Sequence, residues 1–354
     1  MIPQLNQIYD GHALNILKKW DDNFIDMCIT SPPYWKLRSY HSDPPIWDAD
    51  PSCKHDWITT MTPGLSGGKK SEKVQIKGQA NFQEVPPSEI ATCSQCGAWR
   101  GELGQEPDFD LFVYHLCDIF DEVKRVLKPK GSLWVNLGDS YFGSKSKINK
   151  LPSKSLVGIP FRFVVEMLNR GWILRNVVLW KKDNSMPTSA KDRFTDDFEY
   201  FFFFVQQDQY YFKQQFEPLA ESTLERMKYH WSSKDVKASK YQEKNGLNRD
   251  ISFKDAINPK GRNMRTVWEI NTKNYKGSHF AVYPEELIQT PIDACCPPKG
   301  IVFDPFMGSG TTGLVALKQA KSFLGTEINP DYIQLAYDRL DPLLNNKKID
   351  EWLL

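Results

Sequence analysis

The pattern of apolar and polar residues predicts a chain in which strands alternate with amphipathic helices. Short apolar runs suit buried strands, and the stretches after them place apolar residues every three or four positions, which is the helical period. The predicted strands cover residues 7–10, 27–30, 132–137, 172–181, 200–205, 300–303 and 322–326, and the predicted helices cover 13–20, 111–127, 157–169, 313–319 and 330–340. This alternation favours one doubly wound α/β domain built on a mostly parallel sheet.

Two polar regions interrupt the alternation. Residues 37–107 are rich in Pro, Gly, Ser and polar side chains and show no sustained periodicity, so we predict an insertion there. Residues 206–265 mix polar, basic and aromatic side chains, a combination that suits phosphate contact and base stacking. Regular patterning resumes at residue 266 and continues towards the end of the chain.

A stiff loop is predicted where the second strand meets two prolines, in the sequence MCITSPPYW at residues 27–35. Consecutive prolines exclude both helix and further sheet pairing, so the strand must end there. Ser31 and the Pro32 carbonyl then offer acceptor oxygens, and Tyr34 offers a flat apolar face. Such a loop can accept hydrogen bonds from an amino group while the aromatic ring stacks on the planar ring that carries it.

A glycine-rich turn is predicted after the strand at 300–303, in the sequence FDPFMGSGTTG. Gly308 and Gly310 allow a ligand to approach the main chain closely. The next strand ends in Glu327, and an acidic residue at that place can accept both hydroxyl protons of a ribose. The alternative for Glu327 is a cap for the helix at 330–340.

The two motifs together resemble the β group of amino-methylating DNA methyltransferases, in which the catalytic loop precedes the loop that binds S-adenosylmethionine (SAM). The serine of TSPPYW is more similar to the cytosine-N4 group than to the adenine-N6 group, which usually has Asp or Asn there. The resemblance implies a Rossmann-like, SAM-dependent methyltransferase fold with a mixed seven-stranded sheet and one antiparallel strand. Residues 1–36 and 108–205 would form the catalytic half, 206–265 the target-recognition region and 266–354 the SAM-binding half.

The resemblance also implies which residues form the site. The expected catalytic residues are Ser31, Pro32, Pro33 and Tyr34. The residues expected to bind SAM are Asp10, Thr30, Phe280, Pro284, Asp304, Pro305, Phe306, Gly308, Ser309, Gly310, Thr311 and Glu327. A helix cap is the alternative role for Asp10, and an ordinary core is the alternative for Phe280 and Pro284.

The implied reaction is methyl transfer from SAM to an exocyclic amine of a base flipped out of duplex DNA. Hydrogen bonds from the amine to Ser31 and Pro32 would hold its nitrogen closer to tetrahedral, with Tyr34 stacked on the base. Cytosine-N4 is the favoured target and adenine-N6 is the alternative, while the absence of a Pro-Cys dipeptide disfavours cytosine-C5 chemistry. A non-catalytic, zinc-containing nucleic-acid-binding protein is a further alternative, and RNA as a substrate stays open.

The insertion contains four residues of the types that bind zinc, which are Cys53, His55, Cys93 and Cys96. Three thiolates and one imidazole are enough for a tetrahedral zinc site, and four protein ligands would make it a structural one. The 37 residues between the two pairs are more than a common zinc finger has, and unrelated reduced cysteines are the alternative. We expect zinc because so polar a segment has little apolar surface with which to order itself.

Composition restricts the class of protein. The chain has 354 residues, of which 40% are hydrophobic and 25% charged, as is typical of globular proteins. It has no apolar run of about 18 residues and no signal-peptide pattern, so we expect a cytoplasmic protein with no membrane partner. The resemblance implies a prokaryotic or phage context. Seven cysteines in a chain of this length do not suggest a disulfide scaffold.

The net charge of +1 conceals two basic regions. Residues 143–193 contain 11 Lys and Arg against 3 Asp and Glu, and residues 219–276 contain 13 against 7. Regional positive charge suits contact with phosphates, with solvated surfaces as the ordinary alternative. The resemblance implies that the partner is double-stranded DNA. The recognition sequence, the oligomeric state and a cognate restriction endonuclease as a further partner stay open.

Overall fold

The structure is a computed structural model of the chain, and it describes residues 1–37, 44–61, 89–142, 151–228, 258, 260–272 and 283–345. The chain divides into two units, one formed by Met1–Tyr211 with Val267–Leu354 and the other by Phe212–Thr266. None of the helices in the described ranges is long and apolar enough to span a membrane.

The described residues form fourteen strands and seven helices. The strands are β1 (Gln7–Asp10), β2 (Ile25–Thr30), β3 (Ile46–Trp47), β4 (Trp57–Met61), β5 (Glu89–Cys93), β6 (Trp99–Arg100), β7 (Leu127–Leu137), β8 (Ile173–Lys181), β9 (Phe198–Val205), β10 (Phe216–Glu217), β11 (Arg262–Asn263), β12 (Val267–Glu269), β13 (Ile301–Asp304) and β14 (Ser322–Glu327). The helices are α1 (Ala13–Leu17), α2 (Phe109–Val126), α3 (Ile159–Asn169), α4 (Glu221–Lys228), α5 (Glu285–Cys295), α6 (Thr311–Lys318) and α7 (Pro330–Leu344).

The large unit is built on a mixed sheet with the strand order β1-β14-β13-β2-β7-β9-β8-β12. The strand β9 runs antiparallel to both of its neighbours, and every other pairing in this sheet is parallel. A mixed sheet with one antiparallel strand is what the family resemblance implied. The described residues give eight strands instead of seven, because the three-residue strand β12 adds to the edge beside β8.

The antiparallel strand β9 carries the aromatic part of the core. It lies between β7 and β8, and its residues Phe201–Phe204 are at most 1% exposed. A strand that is covered on both faces has a continuous apolar run instead of an alternating one. The ring of Trp134 on β7 stacks on Phe203 with 4.6 Å between ring centroids, which ties the neighbouring strands together.

The helix α2 passes into β7 without an intervening loop. The Asp108 side chain caps the start of α2 by accepting a hydrogen bond from the Asp110 N–H at 2.7 Å, and the C-cap residue Leu127 already belongs to β7. The sequence predicted this strand only from residue 132. The additional residues form strand because Leu127 pairs with Ile25 on β2, ahead of a shift in register.

The insertion contains a second sheet, which the sequence pattern did not indicate. Its four antiparallel strands have the order β3-β6-β5-β4. The strands β4 and β5 have five residues each, but β3 and β6 have only two each, which is too short to display a period of two. Trp47 and Trp99 are 3% and 2% exposed, so the insertion does bury apolar surface of its own.

The smaller unit, Phe212–Thr266, contains the antiparallel pair β10 and β11 and the helix α4. Glu217 on β10 forms ion pairs with Arg262 at 2.7 Å and with Arg265 at 2.6 Å. Of the predicted target-recognition region, residues 229–257 and 259 lie outside the described residues.

Candidate active site

The carboxyl ends of four parallel strands, β1, β2, β13 and β14, lie at one edge of the large sheet. In open α/β sheets this edge is where ligands bind. A cleft lies there with an empty volume of about 760 Å³, including the part that is open to solvent. Its lining includes Ser31, Pro33, Pro305, Phe306, Gly308 and Glu327. Residues from both predicted loops therefore share one cleft.

Asp304 connects the two loops beneath the cleft. It is 1% exposed, and its carboxylate accepts hydrogen bonds from the hydroxyls of Thr30 at 2.5 Å and Thr312 at 2.6 Å. It also accepts from the Tyr283 hydroxyl at 3.1 Å and the Phe306 N–H at 2.9 Å. Burial raises the pKa of this carboxyl group. Thr30 and Asp304, both predicted to bind SAM, thus bond to each other, and neither lines the cleft.

The glycine turn depends on two residues with positive φ. Gly308 has φ 50° and Gly310 has φ 79°, a region that favours glycine. A Cβ atom added to Gly310 would lie 2.9 Å from the Cβ of Ala336 on α7. The turn can therefore pack against α7 only because this position has no side chain.

Arg339 on α7 fixes the other side of the same turn, and the sequence did not suggest it. Its guanidinium donates to the Ser309 carbonyl at 2.6 Å, to the Ser309 hydroxyl at 2.9 Å and to the Thr311 hydroxyl at 3.1 Å. Ser309 and Thr311 are buried, so their side chains support the turn from behind.

Glu327 lies at the tip of β14 and lines the cleft. It accepts hydrogen bonds from the N–H groups of Gly308 at 2.8 Å, Ile328 at 3.0 Å and Asn329 at 3.0 Å. The N-cap of α7 is Asn329, whose side chain accepts from the Asp331 N–H, so Glu327 is not the capping residue. Burial raises the pKa of Glu327 to about 7.

Asp10 is the last residue of β1, and His12 follows it two positions later. Asp10 is exposed and pairs in register with Glu327, while the N-cap of α1 is His12. The capping alternative for Asp10 is therefore not observed. His12 lines the cleft, and its Nε2 is buried without a hydrogen-bond partner among the described residues. Burial lowers the pKa of His12 to about 4.

The segment before α5 is only partly described. Phe280, predicted to bind SAM, lies outside the described residues. Pro284 is buried and occupies the N-cap position of α5. The neighbouring Tyr283, which the sequence analysis did not select, bonds to Thr312 and thereby holds the start of α5 against the glycine turn.

Tyr34 is held in place from several sides. Its hydroxyl donates to Glu199 at 2.6 Å and also lies 3.1 Å from the Asn136 side-chain oxygen, while Lys182 forms an ion pair with Glu199. A Cβ atom on Gly138 would lie 2.7 Å from Cε2 of the Tyr34 ring. Ser31 and Pro33 face the cleft, whereas Pro32 is buried.

The four predicted zinc ligands come together in the insertion. One ligand atom from each of Cys53, His55, Cys93 and Cys96 lies within 4.8 Å of the other three. The Cys53 and Cys93 sulfurs are 3.8 Å apart, and the Cys96 sulfur is 3.4 Å from His55 Nδ1. Three soft sulfur donors and one imidazole fit zinc better than a hard cation.

A protein-family model described as DNA methylase matches residues 25–338 of the chain. The chain belongs to this N6/N4 DNA methylase family. Among named relatives, the Type II methyltransferase M.Cfr9I of Citrobacter freundii is 29% identical over 94% of this chain and 87% of its own length. The Type II methyltransferase M.SmaI of Serratia marcescens is 29% identical over 94% of this chain and 90% of its own length.

Solved structures agree with the fold of this DNA methylase. The cytosine-N4-specific PvuII DNA methyltransferase superposes with a TM-score of 0.56 at 17% identity, covering 99% of this chain and 92% of its own. A putative DNA modification methylase from Thermus thermophilus, in complex with S-adenosyl-L-methionine, gives a TM-score of 0.52 at 17% identity, with 96% and 95% covered. The predicted Rossmann-like methyltransferase fold is therefore confirmed.

Replacing Gly138 by Ala should slow the methylase without unfolding it. The new methyl group would displace the Tyr34 ring from its observed position, and a displacement of about 1 Å at a reacting centre costs up to about 100-fold in rate. We expect the rate of methyl transfer to DNA to fall about 10- to 100-fold, with little change in the thermal unfolding midpoint. Full activity in this variant would show that the Tyr34 ring does not need its observed position.

Proposed function

We propose that this DNA methylase transfers a methyl group from SAM to the N4 amine of a cytosine flipped out of double-stranded DNA. The observation that supports this most directly is the shared cleft. Ser31 and Pro33 line it from one loop, and Phe306, Gly308 and Glu327 line it from the other. Donor and acceptor of the methyl group can therefore meet there.

The cofactor half of the cleft fits a nucleoside. Glu327 has a carboxylate that can accept ribose hydroxyls, and Gly308 presents bare main chain. Phe306, His12 and Tyr332 add apolar and aromatic surface for an adenine ring. SAM would supply a methyl group on a positively charged sulfur, and the T. thermophilus protein of similar fold was solved with this molecule.

The catalytic loop supplies acceptors for the target amine. Ser31 Oγ and the Pro32 carbonyl would accept its two N–H groups and hold the nitrogen lone pair towards the methyl group, while Tyr34 stacks on the base. The nitrogen would bond to the methyl group that SAM supplies, the electron pair of the broken sulfur–methyl bond would stay on sulfur, and the methylated amine would release one proton to solvent. Positioning accounts for most of the rate in such a displacement.

Cytosine-N4 is our choice of target because the loop has serine at position 31. The PvuII enzyme of similar fold is described as cytosine-N4-specific, which agrees with this choice. Adenine-N6 is the second candidate, since the family model covers both kinds of amine. Family membership and the shared cleft argue against the non-catalytic alternative.

We further propose a restriction-modification setting, because the relatives are named Type II methyltransferases. A cognate restriction endonuclease would then accompany the enzyme. In this proposal residues 206–265 recognise the DNA target, and the halves at 1–36 with 108–205 and at 266–354 perform the transfer.

Nucleoside analysis tests the reaction. DNA from cells that express the protein is digested and its nucleosides are separated and identified by mass spectrometry, with cells expressing Ser31→Ala or Tyr34→Ala as matched controls. We expect N4-methylcytosine with the wild type and little or none with either variant. The SAM affinity of the two variants should equal that of the wild type. New N6-methyladenine would instead move the choice to adenine, and unchanged turnover in either variant would refute that residue's role.

SAM affinity should depend on pH through Glu327. The ionised carboxylate accepts ribose hydroxyls better than the neutral acid, and its pKa of about 7 means that it becomes protonated as the pH falls below neutral. Calorimetric titration should therefore show weaker SAM binding at pH 6 than at pH 8. Glu327→Gln should bind more weakly and lose this pH dependence, whereas Asp341→Asn, on the exposed face of α7, should retain it. If SAM affinity changed with pH equally in the wild type and in Glu327→Gln, the ribose contact would be refuted.

We propose that Cys53, His55, Cys93 and Cys96 bind one structural zinc ion. Metal analysis of the purified protein should give about one zinc per chain. Cys96→Ser should lose most of it, and Cys117→Ser, which removes a buried thiol of α2 outside the cluster, should not. A metal-free wild-type protein, or equal zinc in the two variants, would refute the site.

A further inference from the structure

The end of the insertion supports the catalytic loop directly. The Lys36 N–H donates to the Gly104 carbonyl at 2.7 Å, and the Lys36 ammonium donates to the Gln105 carbonyl at 3.0 Å. The indole N–H of Trp35 donates to the Glu106 carbonyl at 3.0 Å. Three successive carbonyls of the insertion thus hold the two residues that follow Tyr34.

A buried carboxylate fixes this support. Glu106 is fully buried, and its carboxylate accepts from the Gly104 N–H at 2.7 Å and lies 3.1 Å from Nδ1 of His115. The other ring nitrogen of His115 lies 3.0 Å from the Asp48 carboxylate. A carboxylate faces each ring nitrogen, an arrangement that suits the protonated ring because both nitrogens can then donate. Burial alone would lower the pKa of His115, but the bonds and charges of Glu106 and Asp48 raise it overall.

The His115 ring also connects Glu106 to the predicted metal site. It stacks on Trp47 with 4.4 Å between centroids and on Trp99 with 5.5 Å. Trp99 follows the ligand Cys96 by three residues, and its strand β6 pairs with β5, which ends in the ligand Cys93. A metal ion that fixes the ends of these strands would therefore also fix the aromatic rings around His115.

Stability alone does not explain a buried charged network at this point. Apolar residues of similar volume often replace buried ion pairs at no cost in stability. The network instead fixes the orientation of the backbone, because the Glu106 carboxylate holds one particular N–H group, that of Gly104. Gly104 has φ 91°, and a Cβ atom on it would lie 3.0 Å from the Tyr34 carbonyl oxygen.

We propose that the insertion is a brace for the catalytic loop, meaning that it holds the loop in position. Glu106 and His115 are positioning residues, through which an ordered metal site keeps Tyr34 in place. The inference rests on the proposed function, since it assigns the insertion a part in methyl transfer. Glu106 and His115 act through the loop and touch neither the base nor SAM.

Hydrogen exchange and kinetics of Glu106→Gln test the brace. Glutamine offers one acceptor oxygen where Glu106 uses two, so the Gly104 turn should loosen. We expect the Lys36 amide to exchange at least about 10-fold faster, with unchanged exchange in residues 306–312. The rate of methyl transfer should fall about 10- to 100-fold while the SAM dissociation constant changes by less than about threefold. Glu122→Gln, which alters an ion pair of α2 with Arg125, is the matched control and should behave as wild type.

A second variant and a chelation experiment complete the test. Gly104→Ala leaves the Glu106–His115 contact in place but pushes on the Tyr34 carbonyl, so it should reproduce the selective loss of rate even if Glu106→Gln fails to fold. Chelation of metal from the folded wild-type protein should accelerate exchange at Lys36 in the same way. Unchanged exchange and rate in Glu106→Gln and Gly104→Ala would overturn the brace.

The exchange measurement also separates this inference from the proposed function. A wild-type protein that methylates no DNA would refute the function, yet faster exchange at Lys36 in Glu106→Gln would still demonstrate the brace. An active wild type whose Lys36 exchange responds neither to Glu106→Gln nor to chelation would refute the brace alone.

Discussion

The carboxylate of Asp304 joins parts of the chain that are far apart in sequence. Thr30, which bonds to it from the end of β2, lies 274 positions away, and Thr312 and Tyr283 approach from two further elements. A buried carboxylate is costly unless it is hydrogen-bonded, and here four donors offset that cost. Together with the pairing of β2 and β13, this one carboxylate therefore ties the predicted catalytic loop to the glycine turn.

Much of the fold could be predicted because many of its strands and helices are specified by patterns of neighbouring residues. The aromatic run of β9 identified an interior strand, and the amphipathic pattern of α2 identified a helix to within two residues at its start. The strands of the insertion could not be predicted in this way, because β3 and β6 have two residues each. Their order comes from pairing and from Trp47 and Trp99, which are buried against a helix that follows later in the chain.

The lining of the candidate cleft was predictable to a similar extent. Ser31, Gly308 and Glu327 could be selected because prolines, glycines and a strand end mark their places in the sequence. Glu199 could not be selected, since its importance comes from Tyr34, 165 positions away. The same holds for Arg339, which supports the glycine turn from α7. Residues that hold a site from behind leave little local signal, because their partners are defined only by the folded sheet.

The order of strands in the large sheet has a consequence for the synthesis of the protein. The first strand, β1, pairs with the last strand, β14, and β2 pairs with β13. On the ribosome, the catalytic loop therefore emerges long before the strands that will lie beside it. Contacts so distant in sequence form late in folding. A nascent chain has no complete cleft until β14 has left the ribosome, because Glu327 at the tip of β14 is part of the lining.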